Sequence, residues 1–321
     1  MSRFSSRLFL LLLSALALTA VRAAERVEQW TGRDVAEFRL STFRGQVTVE
    51  AAEDDILRVE VRAVASASDQ ERAAAQLKDL RMTWATVGDW AALDVSAPKE
   101  ANARFAWQDK DPVTLEIRVA LPALKKIQID SSDGAVRIGR IAADVDVKAR
   151  RGQVTCTLVQ GNLLVRAEDG SILASRVTGD ADLRSEFGNV NAGTVGGRAR
   201  LFARDGDVEL LAARAGIDAQ SDGGNVTVSI TPALLQSSRI ESAGGKVTLK
   251  IDPSARINLE ASTSWGKIRD RSSVRTPLPL EILSGGLGGK RLGARINYGG
   301  VDVQAHASGG DIDLVAVESL F

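Results

Sequence analysis

The chain is poor in the residues that build most reactive centres. It has one cysteine, one histidine and seven prolines, and aromatic residues make up 4% of its 321 residues. A single cysteine excludes an intramolecular disulfide, and one histidine with one cysteine falls short of the ligands of a usual zinc site. Stability therefore has to come from packing and backbone hydrogen bonds, and we expect neither a metal nor a cofactor.

The chain also lacks net charge, since 41 Lys and Arg balance 41 Asp and Glu. Residues 1–23 combine a basic start, a short apolar run and a small residue at Ala23, which is typical of a secretory signal cleaved after that alanine. This segment holds three Arg and no acid, so the mature chain carries three net negative charges, which disfavours nucleic-acid binding. The apolar run is too short for a transmembrane helix. We expect an exported protein, most simply periplasmic, with a surface or secreted location as alternatives.

What the chain does have is a repeat. A glycine returns every eighteen residues and is followed two positions later by valine or isoleucine. These predicted repeat turns are Gly134, Gly152, Gly170, Gly188, Gly206 and Gly224, and a spacing of twenty-one extends the series to Gly245 and Gly266. We expect each glycine to supply a bend with positive φ, next to a small residue three positions earlier in a crowded corner.

Apolar and polar residues alternate after each glycine, which is the pattern of a strand with one solvated face. One such coil buries little and leaves backbone groups unpaired on both edges, so it needs another coil stacked about 4.8 Å away. The sequence therefore predicts an all-β, parallel β-solenoid with coils of about eighteen residues, right-handed because parallel crossovers are.

The flanks of the repeat predict two caps. N-terminal strands are expected at residues 46–49, 57–61, 91–96 and 113–120. A capping box at Ser68 predicts a helix that runs to about Met82 and has Trp84 on its apolar side. After an irregular stretch at 270–295, strands are expected at 296–298, 301–305 and 310–314. We assign 24–122 to the N-terminal cap, 123–269 to the regular coils and 270–321 to C-terminal coils and cap, all within one continuous domain.

The repeat itself carries a resemblance. Its signature is Ser or Ala, two residues, Gly, then Val or Ile at alternate positions, best seen at residues 242–249 and 307–314 and preceded by an extended strand at 113–122. With these residues the chain resembles the exported bacterial putative-adhesin family of β-strand-repeat proteins over nearly all of its mature length. The resemblance implies a right-handed, β-helix-like, exported and non-enzymatic protein.

A glycine-rich segment at residues 284–291 superficially suggests two motifs. A phosphate-binding loop would need glycine and Ser or Thr where Ser284 and Arg291 stand, and a calcium-binding nonapeptide would need Asp in place of Lys290. A flexible connection between coils is the favoured interpretation. Lys290, Arg291 and Arg295 are candidate contacts for an acidic glycan or a protein partner.

Other candidate chemistry has a plain structural alternative. His306 would be required for a serine hydrolase, but a surface histidine is the simpler interpretation. Cys156 falls in an inward row and fits the core. Four tryptophans lie in the N-terminal region, where sealing the cap is favoured over stacking on sugars. Trp265 lies in the repeat. Acidic pairs recur at Asp144/Asp146, Glu168/Asp169, Asp180/Asp182, Asp205/Asp207 and Asp311/Asp313.

Those acidic pairs keep an enzymatic alternative open, because β-helix polysaccharide lyases and hydrolases use paired carboxylates. The preferred interpretation is a non-enzymatic binding, adhesin-like or scaffolding module of the bacterial cell envelope. Its partner would be an envelope protein or a glycan, and assembly into a homo-oligomer stays open.

Overall fold

The computed structural model describes residues 25–66, 69–97, 112–273 and 275–317. The predicted signal at 1–23, Ser68 and Trp107 lie outside the described residues. In the described parts the chain forms one helix, α1 (Gln70–Asp79), and strands β1 (Glu25–Arg33), β2 (Glu37–Thr42), β3 (Gln46–Ala51), β4 (Ile56–Ala65), β5 (Arg81–Val87), β6 (Trp90–Ser96), β7 (Val113–Leu121), β8 (Lys126–Asp133), β9 (Val136–Ile141), β10 (Asp144–Arg151), β11 (Val154–Val159), β12 (Leu163–Asp169), β13 (Ile172–Val177), β14 (Ala181–Ser185), β15 (Val190–Val195), β16 (Ala199–Ala203), β17 (Val208–Ala213), β18 (Ile217–Ser221), β19 (Val226–Ile230), β20 (Ser238–Ser242), β21 (Val247–Ile251), β22 (Ile257–Thr263), β23 (Ile268–Asp270), β24 (Leu280–Gly285), β25 (Arg291–Ile296), β26 (Val301–Ala307) and β27 (Ile312–Ala316).

The strands are shared between two long sheets. Sheet A has the order β1-β4-β7-β3-β9-β11-β13-β15-β17-β19-β21-β27-β23, and sheet B has the order β24-β25-β22-β26-β20-β18-β16-β14-β12-β10-β8-β2-β6-β5. Successive strands of the repeat alternate between the sheets, and within each sheet their pairing is parallel. The predicted all-β architecture of stacked parallel strands is therefore confirmed.

Alternation along each strand explains the core. In β11, β13 and β15 the residues of one face are buried and those of the other are more exposed. Val154 pairs in register with Ile172, which pairs with Val190, so buried aliphatic side chains stack along the long axis. The inward rows of both sheets join in one apolar cluster. Burial of this surface, at about 25 cal/mol per Å², is the main stabilising contribution.

The repeat glycines are needed for clearance rather than for a shared bend. The left-handed φ that we predicted occurs at Gly134 (128°), Gly152 (111°) and Gly170 (158°), but the other predicted repeat turns have no positive φ, namely Gly188, Gly206, Gly224, Gly245 and Gly266. A Cβ built on Gly188 would lie 2.4 Å from the carbonyl oxygen of Gly170, and one on Gly206 would lie 2.2 Å from that of Gly188. Successive corners therefore stack backbone on backbone, which only glycine permits.

Small hydroxyl residues next to these glycines fasten the corners. Ser221 Oγ donates to Gly206 O (2.8 Å) in the coil below and accepts from Gly224 N (2.8 Å) in its own coil. Ser242 and Thr263 make the same pair of bonds in later coils. The small residue predicted from crowding therefore also satisfies two backbone groups, a role that the size pattern alone does not reveal.

The N-terminal end departs from the parallel pattern. Strands β1, β4 and β7 pair antiparallel at the end of sheet A, and β5 pairs antiparallel with β6 at the end of sheet B. Asp69, not Ser68, is the N-cap of α1, because its carboxylate accepts a hydrogen bond from Arg72 N (3.1 Å). The helix also ends earlier than predicted, at Asp79, so that Met82 and Trp84 belong to β5.

The C-terminal end contains the largest difference from expectation. Strand β27 lies between β21 and β23, and β26 lies between β20 and β22, so the last coil of the chain is inserted between two earlier coils. Gly266 consequently stacks on Gly310 and not on Gly245, although the sequence spacing suggested the latter. In the described residues no helix is long and apolar enough to cross a membrane.

Two further C-terminal predictions are wrong. The stretch expected to be irregular contains the antiparallel hairpin β24–β25. The strand expected at 296–298 is instead the end of β25 followed by a turn, in which Asn297 and Tyr298 have positive φ of 47° and 66°. The turn reverses the chain into β26, which a strand could not do.

Candidate binding surfaces

Several of the recurring acidic residues bind the backbone of the next coil. Along one corner of sheet B, side-chain oxygens accept backbone N–H groups of the next coil: Asn162 N donates to Asp144 (2.7 Å), Asp180 N to Asn162 (2.9 Å) and Arg198 N to Asp180 (2.8 Å). A second such ladder runs along the other corner: Asn189 N to Ser171 (3.2 Å), Asp207 N to Asn189 (2.9 Å), Asn225 N to Asp207 (2.7 Å) and Lys246 N to Asn225 (3.1 Å). Three members of the predicted acidic pairs are therefore structural acceptors.

Three further members of the acidic pairs, Asp182, Asp311 and Asp313, face cations. Asp182 lies 2.8 Å from Arg184, and Asp313 lies 3.3 Å from Arg271. Asp311 accepts from Lys267 N (2.8 Å) and is bound by Arg269, and these contacts, led by the Lys267 backbone bond, lower the pKa of its carboxyl group. A general acid needs a raised pKa, so Asp311 is set up as a stable carboxylate. Within the described residues, no group of three or more Asp, Glu, His or Cys could hold a metal ion.

His306 lies between two serine hydroxyls on the outer face of sheet B. Its Nδ1 is 2.9 Å from Ser262 Oγ and its Nε2 is 3.1 Å from Ser308 Oγ. Glu241 is the register partner of His306 on β20, but its carboxylate pairs with Arg239 at 2.7 Å. A serine hydrolase needs a carboxylate on the ring nitrogen opposite the nucleophile. Here both ring nitrogens face hydroxyls, so the geometry fits a surface histidine.

Cys156 occupies the inward row as predicted. The side chain is fully buried between the rows of β9 and β13, and burial raises the pKa of its thiol to about 12. Because the thiolate is the reactive form, this cysteine is a core residue without nucleophilic character near neutral pH.

The glycine-rich segment with its three candidate cations forms the hairpin tip between β24 and β25, not a connection between coils. Lys290 ends the tip and Arg291 begins β25, where Arg291 pairs in register with Ser262. Arg295 lies opposite Asn258 near the other end of the strand, roughly 13 Å further along at the usual rise. The structure thus brings Lys290 and Arg291 together and separates Arg295 from Lys290.

The tryptophans in the described part of the chain divide into two groups. Trp30 and Trp84 stack with ring centroids 6.2 Å apart and pack against the apolar cluster, as expected of side chains that seal a cap. Trp90 lies beneath the guanidinium of Arg39, 5.7 Å from the ring centroid. Trp265 differs from all three, because 84% of its surface is exposed and the ammonium of Lys290 lies 6.0 Å from its ring centroid.

Stacked parallel strands in two sheets, fastened at glycine corners, define a solenoid-like all-β protein. The chain belongs to the Toastrack DUF4097 family, whose model matches residues 36–315. No curated protein matches the chain significantly.

Several solved structures are similar in overall arrangement. A putative lipid binding protein from Parabacteroides distasonis is 13% identical over 90% of this chain and 96% of its own, with a TM-score of 0.47. A putative adhesin from Bacteroides fragilis is 14% identical over 92% and 97%, with a TM-score of 0.41. A putative cell adhesion protein from Clostridium sporogenes is 12% identical over 92% and 100%, with a TM-score of 0.24. None of these scores supports a transfer of function.

Proposed function

We propose that the chain is an exported, non-enzymatic binding module of the bacterial cell envelope, adhesin-like or scaffolding in character. The observation that carries this proposal is the outer surface, whose side chains are held in register over many strands, while six of the ten recurring acids are bound to backbone N–H groups or cations of the frame. Export rests on the signal pattern at residues 1–23, and right-handed winding with about eighteen residues per coil rests on the repeat and on the handedness of parallel crossovers.

Rigidity supports binding because a preorganised surface loses little conformational entropy when a partner docks. Three sets of contacts hold the coils in place: the parallel backbone ladders, the hydroxyl contacts at the corners and the two ladders of Asp and Asn side chains. Each set repeats from coil to coil, so that the relative positions of outward side chains are fixed along the long axis.

The outer face of sheet B supports a polar partner. One outward row alternates in charge across neighbouring strands, as Asp182, Arg200, Asp218 and Arg239. Opposite charges side by side favour a surface that recognises a partner by charge pattern, since a uniform field would only attract by net charge. An envelope protein or a glycan with matching polar groups fits this row.

In-cell photo-crosslinking tests the proposal. A photoreactive residue placed at outward Gln220 should yield adducts in the envelope fraction, and the same residue at buried Val165 should yield none.

Export and the lack of enzymatic activity are tested separately. N-terminal sequencing of the mature protein should give Ala24 as its first residue. Incubation with a polysaccharide panel should release no reducing or unsaturated ends, whereas turnover abolished by Asp182→Asn would contradict a non-enzymatic role in favour of a glycan-cleaving enzyme.

A further inference from the structure

We propose that Trp265 and the hairpin tip carrying Lys290 form a subsite for an acidic sugar, the uronic-acid unit of an envelope polysaccharide. The inference rests on the proposed binding function and names its ligand. The subsite, called the Trp265 corner below, consists of residues 263–267 and 286–290.

Trp265 occupies an unusual place in the repeat. It directly precedes Gly266, where the stacked neighbouring coils have Gly309, Gly244 and Gly223. These glycines contribute no side chain, so Trp265 is the one large side chain among these stacked corner positions. An indole left 84% exposed forgoes the burial that tryptophan usually gains, and it adds little to the core. Its exposure is therefore better explained by a ligand than by packing.

The hairpin tip is fastened to this corner by backbone hydrogen bonds. Gly288 N donates to Ile268 O (2.7 Å), Ile268 N donates to Gly289 O (3.0 Å), and Thr263 N donates to Lys290 O (2.9 Å). These bonds join segments on either side of Trp265 to the tip. The lysine and the indole are consequently held together before any ligand arrives, which reduces the entropy lost on binding.

Lys290 is aimed by a further contact. Its Nζ donates to Ser264 O at 2.7 Å, which keeps the ammonium near the ring. An ammonium group has three donors, so two are left to reach an acceptor on a ligand. A hydrogen bond from a charged donor to a carboxylate is about twice as strong as one between neutral groups.

Charge around the corner favours an anion. Lys246 and Lys267 follow the neighbouring corner glycines and are exposed, and they add to the charge of Lys290. The acid between them in the stack, Asp311, is already bound by Arg269 and by the backbone N–H of Lys267. The corner thus presents a local excess of positive charge on a chain that has no net charge.

The combination selects a ligand with one apolar face and a carboxylate. The C–H face of a pyranose ring packs on an exposed indole, whose amphipathic ring suits a wet surface. A carboxylate at the edge of that sugar would reach the Lys290 ammonium. A neutral sugar satisfies the indole alone, and a small inorganic anion satisfies the lysines alone, so the acidic sugar is the class that uses both.

Calorimetric titration of the full chain with trigalacturonate, beside its methyl ester, tests the subsite. We expect binding of the acid form, weakened at least about tenfold by Trp265→Ala. Lys290→Gln should weaken it severalfold and remove the preference for the acid over the ester. Matched controls are Tyr298→Ala, another aromatic with 90% exposure, and Lys148→Gln on the face of sheet B, which should both bind like the wild type.

The outcomes separate this inference from the function above. Equal affinity of wild type and Trp265→Ala, equal affinity for acid and ester, or no binding of trigalacturonate would overturn the acidic-sugar subsite. Envelope adducts at Gln220 would still stand in those cases. Cleavage of the trisaccharide would instead overturn the non-enzymatic proposal. Thermal melts of each variant show whether a lost affinity reflects lost folding.

Discussion

The regular coils and the C-terminal coils are built from the same signature but are assembled differently. From β9 to β21, each strand of sheet A stacks on the next repeat strand in the chain. Beyond β21, the next strand in the sheet is β27, and β23 comes after it. The difference teaches that the signature determines which residues face inward, whereas it does not determine the order in which the coils stack.

The exchange is possible because the inward residues are interchangeable. Val247, Ile312 and Ile268 are β-branched, fully buried and preceded by a corner glycine two positions earlier. All three lie in one inward row of sheet A, in which Ile312 is in register with both Val247 and Ile268. What distinguishes the last coil is the preceding turn at Asn297 and Tyr298, after which the chain enters β26 between β20 and β22.

The largest loss of stability is expected when a charge is buried inside the inserted coil. Ala305 on β26 is buried between Ile240 and Ala261, whereas its neighbour Gln304 faces outward. Ala305→Asp should destabilise the protein by about 3 kcal/mol or more, because an unpaired charge is forced into the core. Denaturant unfolding followed by circular dichroism measures the loss.

The matched control is Gln304→Asp, which places the same carboxylate on the outer face one residue away. We expect it to change stability by less than about 0.5 kcal/mol. Equal stability of the two variants would mean that β26 is not inserted in the sheet as described.

The second largest loss of stability is expected when a corner glycine of the regular coils is replaced. Gly188→Val would place its Cβ 2.4 Å from Gly170 O, and the stacked corners would have to separate. We expect a clear fall in the melting temperature, equivalent to about 2 kcal/mol or more. Differential scanning calorimetry checks it.

Gly286 in the hairpin tip provides the comparison, because a Cβ there meets nothing within 4 Å. Gly286→Ala should leave the melting temperature nearly unchanged. If both variants melted like the wild type, close stacking of the corners would be refuted.

The smallest expected effect concerns one hydroxyl group. Ser221→Ala removes two buried hydrogen bonds and should cost about 1–2 kcal/mol. Ser131 lies in the same row, but its buried Oγ finds no hydrogen-bond partner in the structure. Ser131→Ala should therefore be neutral or slightly stabilising by equilibrium unfolding. A loss of stability larger than that of Ser221→Ala would contradict the role of the Ser221 hydrogen bonds at the corner.

Periodicity alone predicts the inward rows and the parallel stacking of the strands. The rows through Val154 and Cys156 are buried as predicted, because a one-residue slip would turn every such side chain to water. The hairpin β24–β25 was missed because Ile282 and Leu283 are adjacent apolar residues, both exposed on an edge strand, so β24 lacks the regular alternation that marks a half-buried strand.

The sequence predicted only part of the candidate surface, namely Lys290 and not its contact with Trp265. The charge of Lys290 marked it as a ligand contact, but Trp265 and Lys290 are brought together by backbone hydrogen bonds between the tip and β23. No local pattern encodes that contact. The acidic pairs, in turn, looked like catalytic candidates because their use as acceptors for the next coil depends on stacking, which a linear pattern does not display.

Pairwise disulfide trapping tests the central claim that the last coil lies between two earlier ones. Thr248 is in register with Asp313, and Asp313 with Arg269. Thr248→Cys with Asp313→Cys should form a disulfide under mild oxidation, because adjacent strands bring Cα atoms to about 4.8 Å. Thr248→Cys with Arg269→Cys, two strands apart at about 9.6 Å, should not. Buried Cys156, with its raised thiol pKa, should not interfere. A disulfide in the second variant and none in the first would contradict the account.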